Sequence, residues 1–256
     1  MIASLGMYDR AETAAANDRL WARVRDNLRA RGIAAPDALT RGEDAFWPAW
    51  TAPNLVLSQT CGYPYRARLH GKVTLIAAPD HRLPGCAAGQ YFSVFVVRKD
   101  DPRQRIDEFA DARFAYNEPM SQSGWAAPQT HAQKLGFRFT RARQSGAHRL
   151  SAQAVATGAA DIAALDAVSY ALCRRHDPFA ADLREMGRTT PTPALPYISA
   201  PGADGPAVFE ALRQAVAALS AEDAETLMLH GVTRIAAESY LSVPTPAPPD
   251  QIAQAE

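Results

Sequence analysis

The chain has 256 residues, 47% of them hydrophobic and 21% charged, with 27 basic residues balancing 27 acidic ones. That is enough apolar surface for one large core or two smaller ones, which excludes a disordered chain. The charge balance also excludes a general nucleic-acid binder, which needs a basic face to neutralise phosphates, but leaves a single small anion within reach of a few donors.

In chain order, Ile2 to Leu5 is a short apolar run that reads as a strand. A helix is predicted from Ala11 to Arg31, because Leu20, Trp21, Val24 and Leu28 recur at three- and four-residue spacing, with Gly32 as its cap. Leu55-Val56-Leu57 reads as a buried strand before the polar turn Ser58 to Gly62, and Val73 to Ala77 as another. Trp47 and Trp50 flank Pro48 in a loop-like stretch and read mainly as packing residues. Tyr91 to Val97 is the strongest strand signal, β-branched and aromatic throughout. A helical turn at Ile106 to Ala110 and a strand at Arg113 to Tyr116 follow.

Directly after that strand comes Ser121-Gln122-Ser123-Gly124, and then a helix-like run from Trp125 to Leu135 closed by Gly136. A strand running into a hydroxyl-rich turn at a helix N-terminus aims hydroxyls and unpaired backbone N–H groups, around Ser123 to Trp125, at one point. That is an anion-binding arrangement. The alternative reading of Ser123 is a plain helix cap.

Further on, strands are predicted at Phe137 to Arg141 and Asp161 to Asp166, with a helix from Leu150 to Ala156 between them. A helix from Ala167 to Arg175 follows. Beyond the proline-rich stretch at Pro191, Pro193 and Pro196, Tyr197 to Ser199 reads as a strand. Ala207 to Leu219 and Ala221 to His230 read as helices, the second capped by Ser220, and the proline-rich tail from Val243 reads as loose.

Strands alternate with helices throughout, so the fold class is α/β with largely parallel sheets. Two units emerge: residues 1–80 with 195–256 as one lobe, 90–190 as the other. Two hinge crossings near 78–100 and 185–200 join them. A ligand then belongs at the carboxyl ends of the strands, in a cleft between the lobes.

Three stretches together bring a family into view: Tyr91 to Val97, then Phe114-Ala115-Tyr116-Asn117-Glu118-Pro119-Met120-Ser121-Gln122-Ser123-Gly124-Trp125, then Ser145-Gly146-Ala147-His148 leading to Ala163-Ala164-Leu165-Asp166-Ala167-Val168. In order and spacing they resemble the phosphate, phosphite and phosphonate substrate-binding proteins of ABC transporters. The resemblance covers roughly residues 1–240 and implies a two-lobed type II periplasmic-binding-protein fold. It also implies a tetrahedral oxyanion held between the lobes and an ABC transporter permease as partner.

Residue by residue, the resemblance puts Ser121 and Ser123 in the family's hydroxyl turn. Gln122 stands where threonine is usual, so an amide replaces one hydroxyl, and Gly124 follows. It matches His148 to a histidine after a small-residue turn, Asp166 to a strand-end aspartate and Tyr91 to a hinge-side tyrosine. Tyr63, with Gly62, lies near the first lobe's binding turn. Beside an anion, Asp166 would accept a hydrogen bond from a protonated phosphate or phosphonate and reject a fully deprotonated oxyanion such as sulfate. It reads equally as a cap for the helix that starts at Ala167. Tyr91 reads either as a ligand contact or as an ordinary strand aromatic. The turn from Gln59 to Tyr65 departs from the family's common form, so the ligand need not be a simple phosphonate.

No nucleophile elbow, Walker loop, dinucleotide fingerprint or His-Glu-x-x-His is present, so no enzyme is expected, although His148 could approach Ser121 in space. Cys61, Cys86 and Cys173 form no CxxC pair, and no histidines stand at metal-ligand spacing, so no metal or cofactor is expected. Cys61 and Cys86 read either as buried thiols or as a pair in an oxidising compartment. The first ten residues carry no basic and apolar leader pattern. The expected location is cytoplasmic for the sequence as written, or periplasmic if a leader has been removed, and not membrane-inserted. A cytoplasmic sensor or carrier of the same fold is the alternative function, and an enzyme on that fold a further one.

Overall fold

A computed structural model describes residues 1–253, which fall into two compact units. Unit 1 is Met1–Gln90 with Pro193–Ser242, and unit 2 is Tyr91–Thr192 with the described residues from Val243 onward. The strands are β1 (Ile2–Ser4), β2 (Leu55–Gln59), β3 (Thr74–Asp80), β4 (Gln90–Tyr91), β5 (Ser93–Arg98) and β6 (Phe114–Tyr116). They continue with β7 (Ala142–Gln144), β8 (Ile162–Asp166), β9 (Leu183–Arg188), β10 (Thr192–Pro193), β11 (Tyr197–Ser199) and β12 (Gly231–Thr233). The helices are α1 (Ala14–Arg29), α2 (Trp47–Trp50), α3 (Gly62–Pro64), α4 (Ala127–Lys134) and α5 (His148–Ala156). After them come α6 (Ala167–His176), α7 (Gly205–Ala217), α8 (Ala221–Leu227), α9 (Ala237–Leu241) and α10 (Pro249–Ala253). The class is α/β, as the alternation of elements predicts.

Unit 1 carries a sheet ordered β1-β2-β11-β3-β12. The apolar stripe of α1 (Leu20, Trp21, Val24, Leu28) packs with Val208, Leu212 and Ala215 of α7 onto Ala3, Leu57, Ile76 and Ala77 of the strands. The opposite face is covered by Trp50, Tyr65, Leu69 and Tyr240. α1 ends where Gly32 takes a left-handed conformation (φ 76°) and the Ile33 N–H turns back to the Leu28 carbonyl at 3.0 Å.

Unit 2 carries a sheet ordered β7-β6-β8-β5-β9. Its strongest apolar strand, β5, lies near the middle between β8 and β9, and Val94 to Val97 are all buried. The Phe114 and Phe139 rings stack at 4.4 Å against this sheet.

Several expectations change. The sheets are mixed rather than largely parallel. β1 pairs with β2, and β6 with β7 and β8, in parallel. β11 runs antiparallel to β2 and β3, and β5 antiparallel to β8 and β9. The run Tyr91–Val97 is broken at Phe92, because the Ser93 N–H goes to the Thr189 hydroxyl at 2.9 Å.

Phe137–Arg141 is not a strand. The backbone there is held by the Gln129 side chain, which bonds both the N–H and the carbonyl of the buried Phe139, and the strand starts at Ala142. The helix expected to His230 stops at Leu227, because Met228 turns left-handed (φ 50°) and the His230 N–H joins the Asp80 carbonyl. The described part of the tail, residues 243–253, is not loose, nor does it belong with unit 1. Ala247 accepts the Trp125 indole N–H at 3.0 Å and Ile252 is buried, so it is packed with unit 2. Among the described residues no disulfide forms, no group of His, Cys, Asp and Glu could hold a metal, and no helix is long and apolar enough to cross a membrane.

Candidate functional site

In unit 2 the expected site grows out of the carboxyl end of β6. Ser121 caps the next helical turn: its Oγ accepts the Gly124 N–H at 2.9 Å. The turn that follows, Gln122–Ala126, is π-helical and leads straight into α4. Its wide hydrogen bonding lets the Ser121 carbonyl accept from both Trp125 and Ala126. The amides of Gly124 and Trp125, expected to face an anion, are therefore spent inside the turn. The Ser121 hydroxyl accepts within the turn and keeps its own hydrogen to give.

Gly124 is needed for close approach, not for a left-handed backbone. A Cβ there would sit 1.9 Å from Asn117 Oδ1. The Asn117 carboxamide thus fills the space a side chain would take, and its oxygen is buried without a partner.

The loop before α5 is tied to the same place. The Ser145 and Gly146 N–H groups reach the carbonyls of Tyr116 and Asn117 at 2.8 and 3.0 Å. This sets His148, the first residue of α5, against the serine turn, where Ser123 Oγ and His148 Nε2 lie 2.8 Å apart. His148 Nδ1 is out of solvent reach and lacks a well-aligned partner. Burial pushes the imidazole down to about 4, against the pull of the Ala164 carbonyl, so the ring is neutral near pH 7.

Asp166 ends β8 and is nearly buried. Its Oδ1 accepts the Val168 and Ser169 N–H groups at 2.8 and 3.0 Å, so the capping reading of this residue is correct in the structure. Tyr91 is buried in β4 where the chain enters unit 2. Gln122 is buried too. Tyr63 belongs to unit 1, in α3 just after β2, with the Arg66 guanidinium 4.5 Å from its ring centre. The structure therefore joins Ser121, Ser123, Gly124 and His148 through hydrogen bonds. It places Asp166 and Tyr91 in the same unit and Tyr63 in the other.

Sequence reasoning missed polar groups at the strand ends of both units. Asn117 is one. In unit 1, the Thr60 hydroxyl and His81 Nε2 are buried and unpartnered. Buried polar groups in native proteins are almost always bonded, so such atoms call for an ordered water, an ion or a ligand as partner. No local motif announces them. Asn117 shows only as a polar residue after a strand, and His81 only as a lone histidine.

A larger open depression of about 630 Å3 in unit 2 is ringed by Lys99, Arg174, His176 and Arg184. Its basic side chains in the last turn of α6 suit the negative end of that helix, and it is read as solvated surface.

Compared with known proteins, residues 55–240 match the model of a family described as ABC transporter, phosphonate, periplasmic substrate-binding protein. No curated protein matches the sequence. Among solved structures, the chain is similar to the PhnD1 protein of Prochlorococcus marinus in complex with methylphosphonate. The two are 16% identical with a TM-score of 0.72, over 99% of this chain and 97% of that one. It is also similar to a binding protein component of an ABC phosphonate transporter from Pseudomonas aeruginosa (16% identity, TM-score 0.67, 91% and 80% of the two chains). A Xanthomonas citri protein bound to ATP is a further likeness (17% identity, TM-score 0.66, 99% and 95%). At such identities the likeness shows the fold, that of two-lobed periplasmic binding proteins.

Proposed function

Because this chain belongs to the phosphonate family of ABC-transporter periplasmic substrate-binding proteins, we propose that it captures a small tetrahedral oxyanion for uptake: phosphate, phosphite or a phosphonate. In this reading the anion meets the Ser121–Gly124 turn and His148, with Asp166, Tyr91 and, from unit 1, Tyr63 around it. The units close over it in a hinge motion about the two linking passages near Gln90 and Thr192, and a membrane permease receives the ligand.

The Ser123–His148 bond carries the reading. A hydroxyl beside a neutral imidazole can either accept from the ring or donate to it, according to which nitrogen holds the hydrogen. With the proton on Nε2, Ser123 accepts from the ring and turns its own hydrogen to an anionic oxygen. With the proton on Nδ1, Ser123 donates to the ring and its oxygen accepts from a P–OH group. A hydrogen phosphonate or dihydrogen phosphate offers both kinds of oxygen, and sulfate offers only one. The Asp166 carboxylate would discriminate the same way, since it repels any oxyanion that brings no proton.

A thermal-unfolding panel at matched ionic strength tests this with phosphate, phosphite, methylphosphonate and sulfate. A ligand at 100 times its dissociation constant stabilises the fold by about 2.7 kcal/mol. The protonated oxyanions should raise the melting temperature and sulfate should not. No response to any of them removes the proposal.

A further inference from the structure

Among the described residues the chain passes between the units three times: at Gln90 to Tyr91, at Thr192 to Pro193, and at Ser242 to Val243. The first two passages pair with each other as the ribbon β4–β10. The third is a different kind of chain. Val243-Pro244-Thr245-Pro246-Ala247-Pro248-Pro249 holds four prolines in seven residues. Proline fixes its own φ and keeps the residue before it extended, so this passage is a semi-rigid spacer rather than a slack linker.

Both ends of the spacer are tied down. Before it, α9 carries Tyr240, which is 1% exposed. The Tyr240 hydroxyl donates to the Ala194 carbonyl at 2.7 Å, and the Ala194 N–H donates to the Gly89 carbonyl at 2.8 Å. Ala194 follows the second passage and Gly89 precedes the first, so the base of the third is bonded to the roots of the other two. At the far end, the Ala247 carbonyl accepts the indole N–H of the fully buried Trp125 at 3.0 Å. Trp125 is part of the serine turn, and its backbone N–H closes on the Ser121 carbonyl at 3.2 Å. In α10, Ile252 is buried. Burial, then the charges of Glu118 and Asp250, push the Tyr116 phenol up, so Asp250 of α10 stands within electrostatic range of Tyr116. The Tyr116 and Trp125 rings lie 4.8 Å apart. The tail therefore grips the residues from which the candidate site hangs: Trp125, two residues after Ser123, and Tyr116, whose carbonyl holds the loop before His148.

We propose that residues 243–249 are a strap that couples the hinge to the serine turn. Because the spacer is stiff and bonded at both ends, a bend at the β4–β10 ribbon shifts the Tyr240 anchor and is passed to Trp125, and through it to Ser123. A turn ordered by ligand then favours one hinge angle, and that hinge angle favours the ordered turn. The strap rests on the hinge motion of the proposed function but not on which anion binds. It acts in the ligand-free chain, and it is tested there.

Deleting the tail would bare Trp125, so the strap is slackened instead. Pro244→Gly with Pro246→Gly keeps every carbonyl and both anchors. Two readouts are taken on the full chain without ligand. The first is the distance distribution, by pulsed electron resonance, between spin labels at the exposed positions Glu222→Cys in unit 1 and Gln153→Cys in unit 2, with Cys86→Ser. The second is hydrogen exchange of the Trp125 and Ala126 amides, which close the π-helical turn. Slackening should broaden the distances and speed the exchange about fivefold, which is what one neutral hydrogen bond is worth. Tyr240→Phe keeps the ring and frees the Ala194 carbonyl. It should speed exchange at the same unit 2 amides, and in the slackened chain it should add nothing further. Unchanged distances, unchanged exchange in either variant, or effects that simply add would each overturn the proposal. Methylphosphonate binding decides the proposed function separately: a chain that binds none can still show the coupling, and a chain that binds it can lack it.

Discussion

In unit 2 the polar side chains at the strand ends are bonded to one another over short stretches of chain: Ser121 to Gly124, Asp166 to Val168 and Ser169, Ser123 across to His148. In unit 1 they are bonded outward into the scaffold. Asn17, Gln59 and His81 spend their donors on Asp9, Leu195 and Met228, and all three line one small cavity. The first edge is self-satisfied apart from Asn117 Oδ1 and His148 Nδ1, and it is adaptable, because a hydroxyl can either give a hydrogen to an imidazole or accept one from it. The second is preset, because every orientation is fixed by a partner that can only accept. An adaptable edge suits a ligand whose protons can rearrange, and a preset edge keeps one arrangement of donors and acceptors.

The largest expected effect sets the two buried histidines side by side. In both His81 and His148, burial lowers the imidazole from 6.5 to about 4. The unfolded chain therefore takes up a proton at each ring before the folded protein does. Their contribution to stability is full above pH 6.5 and is lost as pH falls toward 4, by up to about 1.4 kcal/mol per pH unit for each ring. Urea midpoints between pH 7.5 and 4.5 check this, above the range in which the paired carboxylates titrate. His148→Gln should flatten the unit 2 share of the slope and His81→Phe the unit 1 share. A slope unchanged by either substitution would show that these rings are not held neutral in the fold.

Next comes Gly124→Ala. A Cβ 1.9 Å from Asn117 Oδ1 has to displace that carboxamide, and overpacking of this kind costs about 1–3 kcal/mol. Asn117→Ala in the same chain should return most of the loss, which a double-mutant cycle measures. If the single substitution costs nothing, the self-satisfied edge is looser than its geometry states.

Asp166 separates capping from recognition. Asp166→Ala loses an oxygen that accepts two N–H groups, and should cost about 1 kcal/mol in chemical denaturation. Asp166→Asn keeps an accepting oxygen and should cost little stability. Under the proposed function it should still weaken methylphosphonate binding. Equal affinity in Asp166→Asn and the parent chain would leave this residue as a cap alone.

The difference between the edges also explains what could be read from the sequence. Ser121-Gln122-Ser123-Gly124 is a contiguous motif after a strand, so its place at the start of a helix was legible, and the β-branched run of β5 and the stripe of α1 were legible for the same reason. The spending of the turn's amides was not, because it depends on a π-helical opening that no spacing encodes. The unit 1 cavity was not legible at all. It joins residues 17, 59 and 81 and the Met228 carbonyl, and their common feature is which end of each side chain is already occupied. Sheet direction was misread because strand-helix alternation also describes a sheet into which β11 and β5 are inserted antiparallel beside parallel pairs.

The smallest effect on stability is expected from Ser123→Ala, and it bears most directly on the comparison. The substitution removes one neutral hydrogen bond, worth about 1 kcal/mol, and leaves Gly124 still capped by Ser121. The fold should be kept, and the loss of stability should stay near that value. The ability of the edge to switch between giving and accepting a hydrogen goes with the hydroxyl, because the remaining imidazole has no partner through which to reorganise. Methylphosphonate affinity measured calorimetrically should therefore fall at least tenfold while the urea midpoint moves little. Ser121→Ala reverses the balance: it removes the cap that accepts the Gly124 N–H and leaves the Ser123–His148 pair in place, so it should move the midpoint more and the affinity less. If the two alanine variants lose affinity in equal measure, the adaptable pair is not what the ligand meets, and the contrast drawn between the two edges no longer separates them by function.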